Sequence, residues 1–387
     1  MEHVIIIGGG GTGAALAHDL SLRGFEVSLF EKGGLVSGTT GRHHGLLHSG
    51  ARYAVHDPGA ARECARENAI LRTIAPGAIE QNGGLFVAID DADVAYARDL
   101  IDHCRRCNVP VREIALSHAL TIEPALTPDI RYVLEVSDAT VDAWRLPLQF
   151  FATARAAGAA IHQFSEVTGI LRSGDCVTGV RVRDHRRQID HDVTGDVVVN
   201  AAGAWAGLVS GLAGIPLSIQ PAPGAMVSLK GRLTDRVINR LHRPGEGDII
   251  VPQRNCTILG TSIWHSDDPD SYDVPPEDVE RLIAACAVMV PSIRDAAVHA
   301  AWSAVRPLMG TGDTDLWQAS RDFKCYDHAV TDNLEGLVSV IGGKATTMRS
   351  MAEETADLIC RKTGRDIPCR TATEKLLNYR LFYRIES

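Results

Sequence analysis

VIIIGGGGTGAALAHDLSLRGFEVSLFEK, residues 4–32, decides how this chain folds. Val4 to Ile7 are four branched apolar residues in a row, the pattern of a strand buried on both faces. Gly8, Gly10 and Gly13 then satisfy G-x-G-x-x-G. The spacing predicts a helix from about Thr12 to Leu22, stopped at Gly24. A second strand is expected over Val27–Phe30, closing on Glu31. Each part has a physical job. Gly8 permits the tight turn, Gly10 lets the backbone approach a pyrophosphate, and Gly13 lets the helix pack close to the sheet. The helix N-terminus offers free N–H groups and the positive end of its dipole to an anion. Glu31 stands about twenty residues on, where a carboxylate accepts from ribose hydroxyls. A strand before, a helix after and an acid at that distance make this a dinucleotide-binding fingerprint. The motif alone does not separate NAD from FAD.

The same strand–glycine–helix joint recurs twice. DVVVNAAGAWA, residues 196–206, repeats it faintly. GLVSVIGGKATTMRSMAEETADLICRKTG, residues 336–364, repeats it fully: a strand runs into Gly342 and Gly343, and a helix is expected from Thr346 or Thr347. That helix carries Met351, Ala352, Thr355, Ala356 and Ile359 at helical spacing and stops at Gly364. One economical arrangement puts all three joints on one sheet, facing one cofactor. The chain between them reads differently. GGLFVAIDD (83–91), residues 165–203 and GDIIVPQRNCTILGTS (247–262) alternate and turn as antiparallel strands do. PPEDVERLIAACAVMVPSI (275–293) reads as a helix, and HAAWSAVRPLM (299–309) as a strand leading to Arg306. The fold class is therefore α/β: a Rossmann-type cofactor domain interrupted by a mixed α+β substrate domain with an antiparallel sheet. The expected cofactor domain comprises 1–80, 145–215 and 330–370. The substrate domain comprises 81–144 and 216–329, and a tail runs over 371–387.

With 387 residues and 45% apolar content, two or three domains with sizeable cores are expected. A net charge of −9 argues against a nucleic-acid partner. No apolar run is long enough to span a membrane. The sequence enters a strand at once, so no signal peptide is expected and a cytoplasmic setting is. Nine scattered cysteines read as reduced thiols. Cys104 and Cys107 form one CxxC near the end of a helix. A zinc site needs a second pair, and none exists, so no metal site is read.

GRHHGLLHSGARYA (41–54), VVVNAAGAWA (197–206), SAVRPL (303–308) and GGKATTMRSMAE (342–353) together resemble the FAD-dependent glycerol-3-phosphate dehydrogenases. The likeness is closest to the catalytic large subunit of the bacterial anaerobic enzyme, within the D-amino-acid oxidase-like FAD superfamily. It runs from residue 1 to about 370. It implies FAD as the cofactor, and a secondary alcohol oxidised by hydride transfer to the flavin. By that resemblance Lys32, Thr39, Thr40 and Arg42 lie near the dinucleotide. His44, Gly45, Leu47 and His48 run along the flavin ring, and Arg52 and Tyr53 enter the substrate pocket. Val167, Ala202, Gly203, Trp205, Gly343, Lys344, Ala345 and Thr346 complete the cofactor site. His48 is the first candidate for the proton acceptor and His44 the second. A histidine that merely caps the loop is the alternative. Arg306 would pair with an anionic group or the developing alkoxide, because a guanidinium binds such groups with two parallel hydrogen bonds. Lys344 would serve both the flavin edge and the substrate.

The chain departs from that family's pattern in three places. Pro223-Gly224-Ala225 stands where the family has Lys-Gly-Ser, and Ala345 and Met348 replace a leucine and an aromatic. The sequence also ends at Ser387, without the family's further cysteine-bearing region. Glycerol 3-phosphate leads as the expected substrate. A 2-hydroxy acid or another polyol derivative is the alternative, and a decayed flavin-binding subunit the third reading. Electrons are expected to leave through a quinone or a partner subunit. TATEKLLNYRLFYRIES (371–387) either docks that partner or a membrane surface, or packs back on its own domain.

Overall fold

The computed structural model describes residues 1–245, 247–309, 316 and 322–384. The first strand, His3–Ile7, lies inside a six-stranded sheet. In order its strands are 323–327, 337–342, 197–200, 3–7, 26–31 and 160–163. All pair in parallel except Phe323–Asp327, which runs antiparallel to Leu337–Gly342. The three strand–glycine–helix joints thus fall on three adjacent strands, with Ile7 opposite Asn200 and Asn200 opposite Ser339.

The side-chain period of two divides the first strand between two layers. Val4 and Ile6 join the core under the helices Gly11–Leu22, Arg145–Ala156 and Met348–Thr363. Ile5 and Ile7 face a three-stranded antiparallel sheet, Ser165–Ser173, Cys176–Asp184 and Ile189–Thr194. That is why the run is apolar throughout. The first helix begins at Gly11, one residue before its expected start. The third joint enters its helix through a 3₁₀ turn, Ala345–Thr347, and ends at Gly364 with φ +70°. The second joint is fainter because its helix, Ala206–Gly211, spans only six residues.

An eight-stranded sheet builds the second layer. Its order is 298–309, 219–230, 256–260, 249–253, 237–240, 84–88, 132–136 and 111–113. Only Val237–Arg240 and Gly84–Ala88 pair in parallel. The helix Pro276–Ala287 packs on one face. Phe323–Asp327 falls within the segment 216–329 but belongs to the six-stranded sheet.

The tail packs back on its own chain. Leu376 N–H donates to Ile74 O at 2.9 Å, and Arg155 Nη1 donates to Phe382 O at 2.6 Å. Phe382 is buried with its ring 6.1 Å from that of Phe151. The apolar residues that a membrane-docking tail would present are largely used internally. Residues 385–387 lie outside the described residues. No described helix is long and apolar enough to cross a membrane. Cys104 and Cys107 are buried beside Ala51, Leu100 and Val109, and burial pushes the Cys104 thiol up to about 12.

Candidate active site

A cavity of ≈ 1460 Å³ runs from the first glycine turn to the underside of the eight-stranded sheet. Its dinucleotide end is built by close backbone approach. Gly8 has φ +113°, and a Cβ there would lie 2.6 Å from Ala201 O. A Cβ on Gly13 would lie 2.0 Å from Gly8 O. Gly13 therefore shapes the turn without lining the cavity. Glu31 accepts the N–H groups of Gly9 and Gly33 at 2.7 and 2.8 Å. Thr40 Oγ1 accepts from Gly11 N–H at 3.0 Å, and Thr39 Oγ1 donates to Val305 O at 2.5 Å. Arg42 lies 3.8 Å over the Tyr272 ring and donates to Ser37 O. Val167, Ala202, Gly203 and Trp205 line the same region.

Two observations fit this end to a bound dinucleotide. Gly8, Gly10 and Gly11 leave a cradle free of Cβ atoms at a helix N-terminus. Trp205 Nε1 is a buried donor with no acceptor among the described residues, on a residue that lines the cavity. The Lys32 ammonium stands 4.5 Å over that indole.

The other end collects His43, His44, His48, Arg52, Tyr53, Thr261, Arg306 and Lys344. His48 N–H donates to Thr346 Oγ1 at 3.1 Å, tying the histidine loop to the third joint. His48 Nε2 lies 3.4 Å from the Tyr53 hydroxyl. Lys344 Nζ stands 5.3 Å from the Tyr53 ring centroid. Arg306 Nη2 donates to Thr261 Oγ1 at 2.9 Å. Burial first, then Arg52, Lys344 and His43, push His48 down to about 3. Burial also holds His43 down to about 4 and His44 well below the ordinary histidine value. All three are neutral at pH 7, so each keeps a lone pair on one ring nitrogen.

Most of the expected site residues come together here. Gly45 and Leu47 do not line the cavity. Leu47 is fully buried in the core, and its neighbour Leu46 faces the cavity instead. Adjacent residues of an extended pair point to opposite faces. Gly45, at φ +84°, makes room for Gln253 Nε2, which a Cβ would meet at 2.6 Å.

Sequence reasoning missed Asp248. Arg52 Nη2 reaches both of its carboxylate oxygens at 2.7 Å, and both side chains are buried. Asp248 Oδ2 also accepts from Gly245 N–H at 3.0 Å. Arg52 thus enters the cavity wall with its charge already balanced. No motif marks Asp248; the only available signal was that a buried arginine requires a carboxylate somewhere. Tyr272, stacked under Arg42, was equally unmarked.

The Pro223–Ala225 departure sits differently from its expected place. Ala225 packs in the core beneath the helix Pro276–Ala287, and neither Pro223 nor Ala225 is among the described cavity-lining residues. Gly224 lies against Arg306, where a Cβ would fall 2.3 Å from Nη1. Ala345 and Met348 do line the cavity.

Residues 3–358 match the model of the FAD dependent oxidoreductase family, and the chain belongs to that family. Its dinucleotide is FAD. The chain is 41% identical, over 96% of its length, to one subunit of the anaerobic glycerol-3-phosphate dehydrogenase of Haloferax volcanii. It is 39% identical, over 95% of its length, to the corresponding subunit of the Escherichia coli K12 enzyme. It spans 66% and 69% of those two relatives, about two thirds of each. In fold it is similar to the glycerol-3-phosphate dehydrogenase of Bacillus halodurans complexed with FAD. That likeness has a TM-score of 0.74 and 24% identity, covering 99% of this chain and 70% of that one.

Proposed function

We propose that this chain oxidises the secondary alcohol of sn-glycerol 3-phosphate, giving dihydroxyacetone phosphate. The observation that carries this reading is one continuous cavity. It joins the glycine cradle to a pole holding a neutral histidine and the cations Arg306 and Lys344. The identity to the two anaerobic dehydrogenase relatives supports the choice of substrate. Bound FAD supplies the acceptor for the hydride that leaves the alcohol carbon. Gly8, Gly10, Glu31, Thr40 and Trp205 would hold the dinucleotide, and Thr346 and Lys344 line the same cavity toward its other end. His48 Nε2 takes the hydroxyl proton, with the Tyr53 hydroxyl beside it to pass the proton on. Arg306, seated over Gly224, and Lys344 bind the anionic group. A partner subunit of the kind the relatives' names indicate, or a quinone, takes the electrons. Any membrane contact is made through that partner, since the tail's large apolar residues are mostly spent on its own domain.

One observation favours a second substrate class. Arg52 is balanced by Asp248. That removes one cation from those offered to a phosphate dianion and suits a 2-hydroxy acid or another polyol derivative. An anaerobic titration of the FAD-loaded protein, read at the flavin band near about 450 nm, decides between them. Rapid bleaching by glycerol 3-phosphate is the expected result. Bleaching by 2-hydroxy acids or unphosphorylated polyols alone would replace the substrate assignment, and no bleaching by any alcohol would overturn the enzymatic reading.

A further inference from the structure

His44 is held by its surroundings in one tautomer. Leu46 N–H donates to His44 Nδ1 at 3.1 Å, so Nδ1 must be the unprotonated nitrogen. In a neutral ring the proton then sits on Nε2. His43 shows the same lock, with Gly45 N–H donating to its Nδ1 at 2.9 Å. Both locks come from the glycine-permitted loop, which folds the backbone N–H of residue i+2 back onto the ring of residue i. Gly260 lies against the Cβ, Cγ and Cδ2 side of the His44 ring, at the ordinary contact distances a Cβ there would meet. His44 lines the cavity, and Cε1 and Nε2 are the ring atoms that neither of these contacts engages. No described residue accepts from that Nε2–H. The ring sits among His48, His43, Arg306 and Arg52, all of which oppose a second proton on it. His48 lies edge-on with centroids 6.0 Å apart.

We infer that His44 is a fixed, neutral hydrogen-bond donor to the oxygen on the reacting carbon, and not a proton acceptor. This rests on the alcohol oxidation proposed above. The alcohol O–H bond breaks and its proton goes to His48 Nε2. The C–H bond breaks, its hydride passes to FAD, and the carbon–oxygen bond becomes a carbonyl. His44 keeps its Nε2 proton throughout and stabilises the charge that grows on that oxygen. A preorganised donor of this kind is worth about 10²–10³ in rate when removed.

The test uses the FAD-loaded protein with glycerol 3-phosphate under anaerobic single-turnover conditions. His44→Leu should slow flavin reduction by about 10²–10³ while the substrate Kd moves less than about threefold. His44→Gln retains an N–H donor and should recover at least about tenfold of that loss. A Leu variant as fast as the parent, or a Gln variant as slow as Leu, would overturn the assignment. The tautomer is read without turnover, from ¹⁵N-histidine labelled protein between pH 5 and 9. The expected pattern is an Nε2–H imidazole for His44 at every pH, and a protonated Nδ1 would overturn it. If the parent is not reduced by glycerol 3-phosphate, the substrate assignment fails, and the donor inference stands or falls on the labelled spectrum.

Discussion

Arg52 has 8% of its side chain exposed, and Asp248 has 1%. Charges so placed are tolerated only as a pair, because removing one partner strands the other away from water. Asp248→Ala should therefore cost about 3–5 kcal/mol of unfolding free energy, read from the denaturant midpoint. The double variant Arg52→Met, Asp248→Leu should recover most of that loss, since apolar residues of similar volume replace buried pairs at little cost. A single variant within about 1 kcal/mol of the parent would show that the buried pair contributes little to the stability of the fold. At this scale the sequence was readable where a glycine stands because a Cβ cannot fit, as at Gly8 and Gly13. Asp248 was not readable. Its meaning comes from a partner 196 positions away in the chain.

Two long strands, Ile219–Lys230 and Val298–Met309, bring Arg306 into the cavity. Ala222 pairs with Arg306 and Gly224 with Ala304, so the guanidinium lies across Gly224 on the cavity face. A Cβ on Gly224 would meet Arg306 Nη1 and Ser262 O, each at 2.3 Å. Gly224→Ala should displace the guanidinium and raise the substrate KM by about tenfold or more, the scale of one misplaced binding contact. The bound FAD should stay, because the cradle is remote. An unchanged KM would mean that Arg306 does not touch substrate. The elements themselves were legible to the degree that their signals are local. Two joints declare themselves by a branched apolar run, a glycine turn and helical spacing. The hairpin Ile249–Gln253 to Cys256–Gly260 declares itself by alternation about a turn. The order of the eight-stranded sheet does not, because Val237–Arg240 pairs with Gly84–Ala88 from a distant part of the chain. Leu46 and Leu47 could not be told apart, since a two-residue strand carries too little pattern to fix which face looks inward.

On the scale of the whole molecule, the tail packs on the core that holds Phe151 and the first helix. Phe382→Ala should cost about 3–5 kcal/mol, the usual loss for a buried phenylalanine, while flavin reduction per FAD-loaded molecule stays that of the parent. A variant as stable as the parent would show that the tail is docked too weakly to belong to that core. The larger consequence is acid sensitivity. Burial pushes His18 and His43 down to about 4 and His48 to about 3. Their folded values lie below the unfolded value of 6.5, so between those limits the unfolded chain binds more protons. Stability is then full above about pH 6.5 and falls as the pH drops toward 4, by about 1.4 kcal/mol per pH unit for each such group. Burial raises Asp19, Asp138, Glu63 and Glu123, which work in the opposite sense. The net slope therefore mixes both kinds of group, and a single replacement isolates one of them. His18 is the cleanest choice. Both its ring nitrogens are buried without a partner among the described residues, its ring lies 5.6 Å from that of Phe150, and it does not line the cavity. His18→Leu removes one titrating group and two unsatisfied polar atoms together. Its Tm should equal or exceed the parent's at pH 7 and fall less steeply between pH 6.5 and 4.5. A His18→Leu variant that loses Tm as steeply as its parent would place the acid-sensitive protons in the cavity histidines, where bound FAD and substrate would then shift them.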